Sequence, residues 1–344
     1  MVMNKKLTRR DFVRITAISA GVLAMGGLGI KELVSNAAAK TYSETRPLLG
    51  TYITIKVVDD DEDRAKETAQ DTFAEISRLS SILSRHDPAS ELARLNNNGQ
   101  VIGASSELVS VLERAQQYSE LTGGAFDITI LPLLELYRGS FSETGSPPTA
   151  QDIASAVQLV SYKSLTIKGR DVILGKNGAA VTLDGIAKGY IVDKAAELLR
   201  ARGMTRLLVE AGGDLSLSGM REDGNPWKIG IVHPRALTGY YEVVQSSSGC
   251  IATSGDYESA FTSDYSYHHI IDPRLGLCPG ELASASVMAG DTTYADALAT
   301  AAMVMGMDAA LALCESLPGV EALLIGKDLK SQMTSGFPVA SGVE

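Results

Sequence analysis

Apolar side chains recur along this chain with two periods, near two and near 3.6 residues, and the places where one gives way to the other set the expected elements. Arg46–Val58 (RPLLGTYITIKVV) turns at Leu-Gly-Thr and then alternates, which predicts a first strand. Asp61–Leu83 carries Ala65, Ala69, Phe73, Ile76 and Leu79 at helical spacing and predicts a helix. His86-Asp87-Pro88 breaks the chain, and Ser90 starts a short helix through Leu95. Ser106–Thr122 is a further amphipathic helix stopped by Gly123-Gly124. Gly124–Asp127 then opens onto the apolar segment ILPLLELYR, and Phe141–Ala150, with Gly145, Ser146, Pro147 and Pro148, reads as a polar surface loop.

Beyond it the pattern shortens. Strand-like pieces are expected at Leu165–Ile167, Val172–Leu174 and Ala180–Leu183. Asp184-Gly185 turns into a helix running to Arg202 and ended by Gly203. Arg206–Gly219 reads as strand, Gly-Gly turn and strand, and Trp227–Val232 as a strand closed by His233-Pro234. Ile270-Ile271 reads as a short buried strand ended by the Asp272-Pro273 turn, and Asp291–Gly306 as a helix of Ala, Leu and Met. Helices and strands interleave, with turn-linked strands dominating later, so the expected class is α+β with a mixed sheet.

The N-terminus interrupts this reading, because Arg9-Arg10, Phe12 and a modest run rich in Ala and Gly have the form of a twin-arginine export signal. Ala17–Ile30 falls well short of the roughly 20 apolar residues that span a bilayer, and Ala37-Ala38-Ala39 offers cleavage before Lys40. No cysteine follows the run, so no lipid attachment is expected there, and the expected address is the periplasm. With residues 1–39 set aside, residues 40–344 form one domain or two closely packed lobes. The net charge of −10 argues against nucleic acid as a partner and requires locally placed cations for any anionic ligand. Cys250, Cys278 and Cys314 show no metal spacing, and a Cys250–Cys278 bridge stays open.

The densest chemistry lies in Tyr267–Gly276 (YHHIIDPRLG), which holds half of the histidines. His269 at a strand end suits a proton acceptor titrating near the usual imidazole range, about 6.5, although a hydrogen-bonded structural histidine fits the same position. Asp296 and Thr300, four apart near a helix start, share one face and present two hard oxygens suited to Mg2+. A packed threonine and a carboxylate complementing the helix dipole would look the same. Lys188 lies in a first helical turn, where a cation opposes the dipole unless it meets an anion. Gly212-Gly213 fits either a hairpin turn or a phosphate cradle.

Taken together, LLGTY at Leu49, LSRHDPASELARLN at Leu83, GGAFDIT at Gly123, DGIAKGYIVDKAAE at Asp184, VEAGGDLSLSG at Val209, TSGDYE at Thr253, HHIIDPRLG at His268 and YADALATAAMVMG at Tyr294 resemble the ApbE family of flavin transferases. The match covers nearly all of the chain after residue 39. It implies a largely antiparallel α+β fold in two closely associated lobes. It also implies Mg2+-dependent breakage of FAD and transfer of FMN to a threonine hydroxyl of an exported or membrane redox protein, with release of AMP. A pyrophosphatase giving FMN and AMP, or an FAD storage protein, are the alternatives. By resemblance Asp296, Thr300 and the Gly185 carbonyl are Mg2+ ligands, and His269 is the base. Leu49, His86, Ala125, Phe126, Asp127, Lys188 and His268 align with FAD-contacting positions. Thr182 stands where the family often has an acid six residues before the lysine, and Asp184 lies four before it. His86 replaces the family's Tyr or Asn against the flavin.

Overall fold

The computed structural model describes residues 40–236 and 239–339, so the twin-arginine signal and its cleavage point lie outside the described residues. Among the described residues no helix is long and apolar enough to cross a membrane. The largest element is an eight-stranded sheet. It is built from β1 (Lys40–Leu48), β2 (Thr51–Asp59), β6 (Leu207–Ala211), β7 (Asp214–Ser218), β10 (Ser248–Gly255), β11 (Leu282–Ala289), β12 (Glu321–Gly326) and β13 (Ser331–Met333), in that order. Every neighbouring pair in it is antiparallel, so the expected mixed sheet proves antiparallel throughout. A small sheet joins β3 (Gln100–Val101), β5 (Asp171–Leu174) and β4 (Leu165–Lys168), and a hairpin pairs β8 (Trp227–Val232) with β9 (Tyr240–Ser246).

The period-two alternation sorts the main sheet's side chains onto two cores. On β6, Leu207, Val209 and Ala211 face α1 (Glu62–Leu83), α6 (Ala187–Ala201) and α7 (Thr292–Met305), while Leu208 packs with Trp227 and Ile229 of the β8–β9 hairpin. On β12, Ala322 and Leu324 take the helical side, and Leu323 and Ile325 the hairpin side. A third cluster fastens α4 (Leu131–Thr144) to the excursion between β10 and β11: Leu131, Leu133, Leu134 and Tyr137 pack with Ile271, Phe261 and Tyr267. The Tyr137 hydroxyl donates to the Gly276 carbonyl at 2.9 Å. The remaining helices are α2 (Glu91–Asn98), α3 (Ser106–Leu121), α5 (Ala150–Val157) and α8 (Met307–Ser316).

The structure departs from the sequence expectations at five places. Lys40–Leu48 is a strand in full register with β2, but its polar residues and Pro47 hide it, as suits an edge strand. Leu49 and Gly50 form the intervening turn with φ of 56° and 71°, the paired positive angles of a tight hairpin. Phe141–Thr144 continues α4 before Gly145 ends it, and a short α5 follows, capped by Thr149. Ala180–Leu183 joins no ladder, because the Asn96 side chain takes the place of a neighbouring strand. It accepts from the Val181 N–H at 2.8 Å and donates to the Val181 carbonyl at 2.9 Å. Ile270-Ile271 likewise joins no ladder; beside it the His269 N–H donates to the Ser259 carbonyl at 3.0 Å. All three cysteines are free, which excludes the Cys250–Cys278 bridge in this structure.

Candidate functional site

Two cavities lie side by side at the N-terminus of α6 and share part of their lining. One, of about 500 Å³, is lined by Leu49, Gly50, Ser84, Arg85 and His86 from the β1–β2 turn and the end of α1. The other, of about 270 Å³, is lined by Ala125, Phe126, Asp127, Thr182, Gly185, His269, Asp296 and Thr300. Arg138, Asp184 and Lys188 belong to both walls.

The expected residues therefore gather, with one exception. His268 is fully buried, its Nε2 lies 3.1 Å from the Pro279 carbonyl, and it lines neither cavity. The chain bends at His269, which lines the cavity while the His268 ring is buried in the core. Thr182 and Asp184 both reach the wall, and the Asp184 N–H donates to the Thr182 hydroxyl at 3.2 Å. Arg85 holds the Asp184 carboxylate at 3.1 Å. Asp127 lies on the wall, but one carboxylate oxygen accepts from the Thr129 N–H and hydroxyl and the other from the Tyr162 N–H at 2.8 Å, so the side chain also caps a short helical turn. His86 is exposed at the mouth. Gly212-Gly213 is a hairpin turn with φ of 59° and 99°, and Glu210 accepts the Gly213 N–H at 2.9 Å, which leaves that donor engaged within the protein.

Charge is concentrated around Lys188. Its ammonium is ion-paired with the buried Asp214 carboxylate, whose other oxygen has no partner. Burial opposes the Lys188 charge, but Asp214 and then Asp296 outweigh it and hold the lysine protonated well above its ordinary range. Burial, and next the nearby Asp296, raise the Asp214 carboxyl well above the usual range, with Lys188 pulling the other way. Glu258 lines the same wall. Burial pushes Glu210 up to about 7. One lysine thus faces a surplus of carboxylates, a charge distribution that a cation relieves.

The donors for a hard cation stand in place. Asp296 is 3% exposed and accepts the Gly189 N–H at 3.1 Å, and the Thr300 hydroxyl is 3.2 Å from that of Ser254. A Cβ on Gly185 would sit 2.8 Å from the Thr300 hydroxyl oxygen, so only glycine brings the backbone this close. No cluster of three His, Cys, Asp or Glu side chains able to hold a metal occurs among the described residues. One carboxylate, one hydroxyl and one carbonyl fit Mg2+ that keeps positions for water and phosphate oxygens. His269 lies on the same wall, its Nδ1 without a partner. Burial, and then the neighbouring His268, push it down to about 4.

Sequence reasoning missed Asp214, Glu258, Arg85 and Arg138. The first three lie inside motifs already singled out (GGD, SGDYE and SRHD), whereas Arg138 sits inside an apolar helix with no local signal.

The ApbE family model matches residues 49–324. The chain belongs to the ApbE family. Among curated relatives it is 32% identical over 282 residues to the FAD:protein FMN transferase of Vibrio cholerae, covering 78% of this chain and 83% of that one. It is 28% identical over 338 residues to that of Treponema pallidum, covering 92% and 93%. Among solved structures, the ApbE protein from Thermotoga maritima superposes with a TM-score of 0.78 at 30% identity, covering 86% of this chain and 97% of that one. The flavinyl transferase ApbE of Pseudomonas stutzeri gives 0.76 at 28% identity, covering 89% and 98%. The α+β fold with its large antiparallel sheet is thus the ApbE fold.

Proposed function

We propose that this chain is a Mg2+-dependent FAD:protein FMN transferase that moves FMN from FAD onto a threonine hydroxyl of an exported or membrane redox protein and releases AMP. The carrying observation is the pair of neighbouring cavities that share a charged stretch of wall, with His269 and the Asp296–Thr300 face lining one of them. A dinucleotide has two bulky ends and a pyrophosphate between them, which is the arrangement two neighbouring cavities with charged groups between them would serve. Mg2+ held by Asp296, Thr300 and the Gly185 carbonyl would neutralise pyrophosphate charge.

The chain's own groups then have defined tasks. Lys188, kept charged by its acidic neighbours, faces the phosphates from the start of α6. His269, neutral above pH about 4, accepts the threonine proton at its free ring nitrogen. The threonine oxygen bonds to the FMN phosphorus, the bond from that phosphorus to the bridging oxygen breaks, and AMP departs with that oxygen. The twin-arginine signal supports export by that machinery and a periplasmic place of action.

Incubation with FAD and Mg2+, with and without a threonine-bearing redox domain, tests the reading. The expected result is AMP release only with the domain, which becomes covalently yellow. AMP without an acceptor would instead establish a pyrophosphatase, and bound FAD without AMP a storage protein.

A further inference from the structure

We propose that Arg138 is a phosphate-binding residue, gripping the pyrophosphate where a dinucleotide passes from one cavity to the other. This rests on reading the cleft as an FAD site. Three residues line both cavities, and two of them are committed within the protein: Lys188 to Asp214, and Asp184 to Arg85. Arg138 is not. Its only hydrogen bond among the described residues goes to Glu135 at 3.2 Å. Glu135 is also held by Arg85 at 3.1 Å, and its side chain is 53% exposed. One half-exposed carboxylate therefore serves two guanidiniums. A solvent-screened pair of this kind is weak, and a guanidinium has five N–H donors arranged to suit phosphate oxygens.

The side chain is also held in the right place. Leu134 and Arg138, one turn apart on α4, both line the smaller cavity, so this face of the helix looks into the cleft. Tyr137, between them in sequence, anchors the helix through its stack with Phe261 and its bond to the Gly276 carbonyl. Arg138 and His269 line the same cavity. A phosphate there would take up the donors that Glu135 leaves unused.

The alternative is that Arg138 and Glu135 are only a surface pair along one helix, and the two roles give opposite results. FAD affinity is measured by flavin fluorescence in Mg2+ for the full chain and for R138Q, R138K and E135Q, with the unliganded melting temperature as a check on folding. Charge-assisted bonds to a phosphate predict that R138Q weakens FAD binding about 10- to 100-fold at an unchanged melting temperature. R138K should recover part of the loss, since it restores the charge but not the fork. E135Q should bind FAD at least as tightly as the unmodified protein, because it frees Arg138. The inference is overturned if R138Q binds within about twofold of the unmodified protein, or if E135Q loses as much affinity as R138Q. If the unmodified protein fails to bind FAD, the reading of the cleft itself falls and Arg138's role with it.

Discussion

His269 shows how a single residue's chemistry is set by its surroundings. An exposed imidazole would titrate near 6.5, but burial holds this one near 4, so it stays neutral through the physiological range. AMP release with saturating FAD and acceptor should accordingly stay level from pH 6 to 9 and fall only as pH drops toward 4. A rising limb centred near 6.5 would contradict a ring titrating in this environment. His269→Ala should lose about 10²- to 10⁴-fold in rate, the usual contribution of a general base, with FAD affinity little changed. Asp296 has a double task, facing the proposed cation and accepting the Gly189 N–H. Asp296→Asn keeps an acceptor for that N–H and relieves repulsion with Asp214. It should therefore abolish Mg2+-dependent turnover without lowering the melting temperature. Turnover at the unmodified rate in Asp296→Asn at ordinary Mg2+ would exclude it as a ligand.

At the scale of elements, the site depends on close approaches between segments far apart in sequence. Gly185→Ala would drive a methyl into Thr300 from the turn before α6. Either the turn or α7 must shift, and an error of a few tenths of an ångström is enough to spoil a cation site. The expected outcome is a loss of Mg2+ affinity by calorimetry, with the overall fold retained by circular dichroism. Unchanged Mg2+ affinity would remove Gly185 from the proposed ligand set. The helices starting at Glu62, Glu91 and Ser106 were legible because their caps and periodicity are local: Asp61, Ser90 and Ser105 each accept an N–H from the first turn of the helix they precede. Segments whose partners are remote were not. Ala180–Leu183 has the composition of a strand, yet Asn96, 85 residues away from Val181, satisfies its backbone and leaves Thr182 free to face the cavity.

For the molecule as a whole, the eight-stranded sheet is a divider, with α1, α6 and α7 on one face and the β8–β9 hairpin on the other. The carboxylates of Asp214, Asp296 and Glu258 meet on the cavity side with one lysine to balance them. Millimolar Mg2+ should therefore raise the melting temperature of the unliganded protein, and FAD should raise it further, adding about 2.7 kcal/mol of stability at 100 times its dissociation constant. The Mg2+ increment should vanish in Asp296→Asn. An equal increment in that variant would mean that the cation binds elsewhere. The sequence alone determined the α+β class and most helices, and narrowed Gly212-Gly213 to a hairpin turn or a phosphate cradle, because periodicity, caps and glycine turns act over a few residues. It also carried the motifs that place Asp296, Thr300, His269 and Lys188 in one site. Only the tertiary structure decided which of two adjacent histidines faces the cleft, that Asp214 holds Lys188, and that Arg138 lines both cavities. Facing and pairing across more than a dozen residues depend on how elements pack, and no local pattern of side chains records that.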